Sequence, residues 1–112
     1  MSPARALDKT LFMVHTDNEF EWDERKNLAN ALKHGIRFEH AQQAFDDPGH
    51  IIQEDTEHST DTEKRHWLIG RAGVDVLLIV FTRRRNRVRL ISARSANKQE
   101  RSPYEQRKTK DG

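Results

Sequence analysis

The sequence predicts an α+β fold: a short N-terminal strand and two helices, then an antiparallel β-meander and a C-terminal helix. Apolar residues recur at helical spacing between residues 24 and 45. Between residues 64 and 93 they alternate with polar residues or run together, with glycine or asparagine at the turns, as in consecutive antiparallel strands. Helices grouped apart from strands are typical of α+β domains, and we expect the helices to cover one face of the sheet.

The helical half follows a short alternating element, Phe20-Glu21-Trp22. Asp23 is a suitable N-cap and Gly35 a suitable stop for the first helix. Leu28 and Leu32, together with two alanines, predict an apolar stripe that faces the core. A second helix follows over residues 38–45 and ends at the break Asp47-Pro48-Gly49.

The strands are predicted from short apolar runs. Ile51-Ile52 indicates a short strand, residues 54–63 a polar loop, and residues 64–70 an alternating strand. Residues 75–82 are apolar on both faces and should form the central strand, and residues 88–93 the last one. We expect Ser95 to cap the final helix and Pro103 to break it or begin a new turn.

The length of 112 residues fits one domain, which we assign to residues 18–107. Residues 1–17 are an N-terminal extension that can be flexible, in which Leu11–Val14 fits either an edge strand or a tail, and residues 108–112 are a flexible tail. The chain has no cysteine, no apolar run near the ~20 residues of a membrane span, and no signal-peptide pattern. These features favour a cytoplasmic protein without a membrane partner.

Charge is distributed unevenly along the chain. The net charge is only +2, but residues 17–63 hold most of the acids and residues 64–110 carry many lysines and arginines. A basic half suits a polyanion if the fold gathers those charges on one face; the alternative is a solvated, salt-bridged surface. The six histidines are scattered, without the spacing of metal ligands, so we expect neither a metal site nor a cofactor.

Arginines mark the last predicted strand and the residues after it. With regular alternation, Arg87 and Arg89 point to one face and Arg94 to the other. Arg94 lies at the strand end beside Lys98, and Arg65 can project nearby from a neighbouring strand. Such cations can stabilise the transition state of phosphodiester cleavage, position a nucleic acid, or dock an acidic protein. The residues alone leave these three alternatives open.

Three stretches together resemble the BrnT family, the toxins of bacterial type II toxin–antitoxin pairs. They are FEWDERKNLANALKHGIRFEHAQQAFDDP at residues 20–48, KRHWLIG at 64–70 and RVRLISARSANKQERSPYE at 87–105. The resemblance implies a RelE-like fold and a ribonuclease that inhibits translation without a metal ion or cofactor. It also implies a cognate BrnA-type antitoxin that binds DNA, so that the toxin meets DNA only indirectly, and a dimer or a 2:2 heterotetramer with the antitoxin.

The resemblance also assigns roles to individual residues. The catalytic candidates are Arg65 and Arg94 as phosphate clamps, with Glu100 and Tyr104 for proton transfer. The substrate-binding candidates, for the RNA, are Lys33, His34, Arg89, Lys98 and Arg101. His34 also fits a helix-dipole role at the end of the first helix. The rival hypotheses are a non-catalytic basic module that binds nucleic acid or an acidic protein, and a purely structural salt-bridged domain.

Overall fold

The computed structural model describes residues 14–16 and 19–111, and within them six strands form one sheet in the order β1-β2-β6-β5-β4-β3. The strands are β1 (Val14–Thr16), β2 (Phe20–Asp23), β3 (Ile51–Glu54), β4 (Arg65–Ala72), β5 (Asp75–Arg84) and β6 (Arg87–Ser95). The helices are α1 (Glu24–His34), α2 (Phe38–Ala41), which continues as a 3₁₀ turn (Gln42–Asp46), and α3 (Lys98–Asp111). The predicted α+β class and element order are confirmed.

The sheet is antiparallel except where β2 joins β6. That parallel pairing spans only two positions, Phe20 opposite Val88 and Glu21 opposite Arg89. Beyond Arg89, the outer edge of β6 therefore needs another hydrogen-bonding partner, because buried backbone groups are almost always paired.

Helix α1 provides that partner through a buried asparagine. Asn30 Nδ2 donates to the carbonyl of Ala93 at 2.7 Å, and the Ala93 amide donates to Asn30 Oδ1 at 3.1 Å. The side-chain amide thus replaces a neighbouring strand at this point. Asn27 joins α1 to α2 in a similar way, since its Oδ1 accepts from the Phe38 amide at 2.8 Å.

The core-facing side of α1 is therefore polar, and the prediction that its leucines face the core is wrong. Asn27 and Asn30 are 1% and 7% exposed, whereas Leu28 and Leu32 are 54% and 89% exposed. The predicted termini are confirmed: Asp23 accepts from the Arg25 amide at 2.8 Å, and Gly35 ends the helix at φ 73°. The position of the helix is set by hydrogen bonds to the edge of β6 rather than by its apolar residues.

Helices pack on both faces of the sheet, so the expectation of helices on a single face is wrong. Helices α1 and α2 cover the larger core, which contains Trp22, Phe38 and Phe81; we call this side the α1 face. Helix α3 covers a smaller cluster on the other side, where Tyr104 packs with Ile69 and Leu78. We call this second side the α3 face.

Helix α3 differs from the prediction at both ends. Asn97 and Glu100, not Ser95, form its cap: Asn97 Oδ1 accepts from the Glu100 amide and Glu100 Oε1 from the Asn97 amide. The helix also continues through Pro103 to Asp111, so the predicted break is wrong. Proline removes only the one amide that would bond to the carbonyl of Gln99, and burial of Tyr104 holds the next turn in place.

The predicted N-terminal extension and the predicted C-terminal tail both contain residues of regular secondary structure. Strand β1 lies within residues 1–17, and α3 enters residues 108–112. Of the Leu11–Val14 stretch, only Val14 is among the described residues. Within the described part of the chain, no helix is long and apolar enough to cross a membrane.

Candidate functional site

A β-bulge in β6 gathers the arginines on the α3 face. Val80 pairs with Ser92 but Phe81 pairs with Leu90, which leaves Ile91 as an extra residue. The extra residue reverses the alternation, so Arg94 shares a face with Arg89 and Arg87 and the predicted opposite orientation is wrong. These faces are assigned from the pairing of β6 with β5, because directly opposed residues of neighbouring strands share a face.

The α3 face contains a cleft of about 540 Å³ between the sheet, the N-terminal half of α3 and the loop after β3. Its floor is apolar, formed by side chains such as Trp67 and Val80, which are opposed on β4 and β5. The residues around its opening are polar, and Arg94 and Glu100 form one of its walls. The remaining lining residues are Ile51, Gln53, Asp55, His58, Ile69, Leu78, Gln99 and Pro103.

Arg94 and Glu100 form a bidentate ion pair on the cleft wall. Arg94 Nη1 and Nη2 each donate to one carboxylate oxygen at 2.8 Å, and Nη1 also reaches the carbonyl of Ser95 at 3.3 Å. A guanidinium has five N–H donors, so these three contacts leave two of them unused. The hydrogen bond from Arg94 holds the pKa of Glu100 below its ordinary value of 4.5, although partial burial opposes this shift. Glu100 is therefore an ionised side chain that orients Arg94.

Arg65 and Arg89 lie on the same face, each held by a carboxylate. Arg65 opposes Thr82 on β5, and Thr82 in turn opposes Arg89 on β6, so the two arginines lie in one row across the sheet. Arg65 Nε donates to Glu63 at 3.1 Å, and Arg89 Nη1 donates to Glu21 at 2.7 Å. This row is two residues along β4 from Trp67, about 7 Å from the cleft floor.

An Asp–His pair on the cleft rim was missed by the sequence reasoning. His58 Nδ1 lies 2.8 Å from Asp55 Oδ2, and both residues line the cleft. A histidine held through Nδ1 leaves its other ring nitrogen, Nε2, available for proton transfer. The available signal was the Asp-x-x-His spacing, but a polar loop gives no indication of which surface it covers.

Tyr104 lies beneath the cleft rather than in it. Its side chain is fully buried, and its hydroxyl donates to Asp47 Oδ2 at 2.5 Å. Burial and the Asp47 carboxylate raise the pKa of Tyr104, although Arg71 opposes the shift. Asp47 Oδ2 also accepts from the Arg71 amide at 2.8 Å, so this carboxylate joins α3 to β4.

Four further predicted residues are not among those lining the cleft. Lys33 and His34 border a separate depression between α1 and the β6 bulge. Arg101 lies in another depression with Arg71 and Glu105, and Lys98 is exposed at the start of α3. Their predicted roles in substrate binding stay predictions.

The described residues contain no group of three or more histidine, cysteine, aspartate or glutamate side chains placed to hold a metal ion. The chemical groups that line the cleft are Arg94 held by Glu100, a histidine held by an aspartate, and an aromatic floor.

A comparison with known families matches residues 22–100 to the family described as the ribonuclease toxin BrnT of type II toxin–antitoxin systems. This stretch contains β4, β5, β6, the cleft loop and the Arg94–Glu100 pair. A search of curated proteins finds no match to the chain. Because the family match covers more than half of the sequence, the chain belongs to the BrnT family of ribonuclease toxins, whose type II systems imply a protein antitoxin as partner.

Proposed function

We propose that this protein is a metal-independent endoribonuclease that cleaves RNA in the cleft on the α3 face and thereby inhibits translation. We further propose that it acts in the cytoplasm and is neutralised by a cognate DNA-binding antitoxin of the BrnA type, as a dimer or a 2:2 heterotetramer. The observation that carries the cleavage proposal is the joint lining of one cleft by Arg94, held by Glu100, and by His58, held by Asp55.

The groups on this face support RNA binding. The phosphate backbone meets Arg94 in the cleft and Arg65 and Arg89 in the row beyond it, where each guanidinium is held by a carboxylate. Single-stranded bases can stack on aromatic side chains, and Trp67 provides such a surface on the cleft floor.

Cleavage then needs a proton acceptor beside the 2′-hydroxyl and a cation beside the phosphorus. In the proposed reaction, His58 Nε2 takes the proton of the 2′-hydroxyl, and the resulting oxygen attacks the adjacent phosphorus. The bond to the 5′ oxygen breaks, and this oxygen takes a proton from water, which leaves a 2′,3′-cyclic phosphate and a 5′-hydroxyl. The hydroxide formed from that water takes the proton back from His58, which restores the neutral side chain. Arg94 stabilises the charge that develops on the phosphoryl oxygens.

RNA cleavage by the purified protein in excess EDTA tests the proposal. We expect the wild type to cut, because no step uses a metal ion. We expect Arg94→Ala and His58→Asn each to lower the rate about 10²-fold or more, and Arg94→Lys to restore only part of it, since lysine lacks the planar fork. Arg83→Ala is the matched control, because Arg83 opposes Val88 and so lies on the α1 face.

Two results would contradict the proposal. If EDTA stops cleavage by the wild type, the reaction is not metal-independent. If Arg94→Ala cleaves RNA at the wild-type rate, the assigned site is wrong. If the wild type binds RNA but never cuts it, the rival hypothesis of a non-catalytic basic module is favoured instead.

A further inference from the structure

Helix α1 exposes its apolar residues and buries its polar ones. Leu28 and Leu32 are four residues apart and therefore lie on one side of the helix, and Ala29 beside them is also exposed. We call these three residues the α1 stripe. Single exposed leucines are normal on protein surfaces. In α1, however, Asn27 and Asn30 face the sheet, and two neighbouring leucines lie on the opposite side. They form an apolar surface that no element of the described structure covers.

Basic side chains border the α1 stripe on one flank. Lys26 and Lys33 are exposed there, and Arg25 at the start of the helix pairs with Asp23. A shallow depression of about 210 Å³ continues this surface between α1 and the β6 bulge, and Lys26, Ala29 and Ile91 contribute to its lining. An apolar stripe with a cationic flank is complementary to an amphipathic helix that has acidic residues beside its apolar side.

We propose that the α1 stripe is the docking site for the antitoxin, which places an amphipathic segment with acidic flanks along α1. The inference rests on the protein partner that family membership implies and on the neutralisation included in the proposed function. Helix α1 has 11 residues, about 16 Å at the rise of an α-helix, which matches about three turns of a partner helix.

The stripe and the cleft lie on opposite faces of the sheet. Helix α1 packs on the side of Trp22 and Phe38, whereas Trp67 and Arg94 are on the side of α3. Variants of the stripe should therefore lose the antitoxin while keeping RNA cleavage. A toxin that carries these substitutions should therefore stay active in the presence of its antitoxin.

The affinity of the purified toxin for its purified cognate BrnA-type antitoxin, measured by calorimetry, tests the docking site. We expect Leu28→Gln/Leu32→Gln to weaken binding at least tenfold, since glutamine keeps helix propensity but removes the apolar surface. Lys26→Glu should weaken it severalfold at low salt and less at high salt. The matched control is Val74→Gln, because Val74 is also 89% exposed but lies in the β4–β5 turn. Cleavage of RNA by each free variant should equal that of the wild type.

Three results would overturn the docking site: unchanged affinity of the double leucine variant, absence of binding by the wild type, or wild-type self-association that this variant abolishes while the antitoxin still binds. The third result assigns the stripe to a second copy of the chain. Failure of the proposed activity has a different signature, namely a wild type that binds the antitoxin through the stripe but does not cleave RNA.

Discussion

Each of the three arginines assigned to RNA binding is oriented by one carboxylate. Glu63 holds Arg65, Glu21 holds Arg89 and Glu100 holds Arg94. Such pairing fixes the direction of the guanidinium before substrate arrives, which lowers the cost of ordering it on binding. The resemblance predicted Arg94 and Glu100 as separate catalytic residues, but their direct pairing depends on the bend from β6 into α3 and cannot be predicted from composition or spacing.

Tyr104 is expected to stabilise the fold rather than transfer protons. Tyr104→Phe removes the hydroxyl that donates to Asp47 within the junction between α3 and β4. We expect the free energy of unfolding to fall by about 1.5–3 kcal/mol, the usual contribution of one hydrogen bond to a charged group. Urea denaturation measures this change, and the cleavage rate of the folded variant should stay within about twofold of the wild type. A large loss of cleavage at unchanged stability would instead favour the predicted role in proton transfer.

Among the elements, β6 and α1 differ most from their sequence patterns. The bulge at Ile91 decides which face Arg94 occupies, yet Ile91 is an ordinary strand residue with nothing in its neighbourhood that signals an extra position. The spacing of apolar residues in α1 predicts that its leucines point inward, because apolar residues usually face the core. In the structure, α1 instead turns its asparagines inward, because the edge of β6 beyond its short contact with β2 requires hydrogen-bonding partners. This requirement can be recognised only from the strand order.

The orientation of α1 leads to an unusual expectation for two alanine variants. Asn30→Ala should lower the free energy of unfolding by about 2–4 kcal/mol, because the amide and carbonyl of Ala93 and the carbonyl of Ile36 lose their partner. Leu32→Ala should change it by less than about 0.5 kcal/mol, since the side chain is exposed. Thermal and urea unfolding of both variants provide the measurement. The reverse order would mean that Leu32, not Asn30, faces the sheet.

The molecule as a whole presents a different surface on each face of one sheet. The α3 face holds the cleft and the arginines, and the α1 face carries the proposed antitoxin site. The sequence was sufficient for the fold class, the element order and strands β2 to β6, since apolar runs and turn residues indicate these locally. It was not sufficient for the side on which α3 packs, because that helix has little apolar periodicity and is held mainly by Tyr104, Asp47 and the Asn97–Glu100 cap. The cleft exists only once α3 is placed, and only then does the local His58–Asp55 pair line it.

The central claim, that RNA binds on the α3 face, is tested most directly by the indole signals of the two tryptophans in a ¹⁵N–¹H NMR spectrum. Trp67 lines the cleft, whereas Trp22 is fully buried on the α1 face, where its Nε1 donates to Glu24 at 2.8 Å. A short 2′-O-methyl RNA, which cannot be cleaved through its 2′ oxygen, should shift the Trp67 signal and leave that of Trp22 in place. A shift of Trp22 and the α1 amides with an unchanged Trp67 would contradict the assignment.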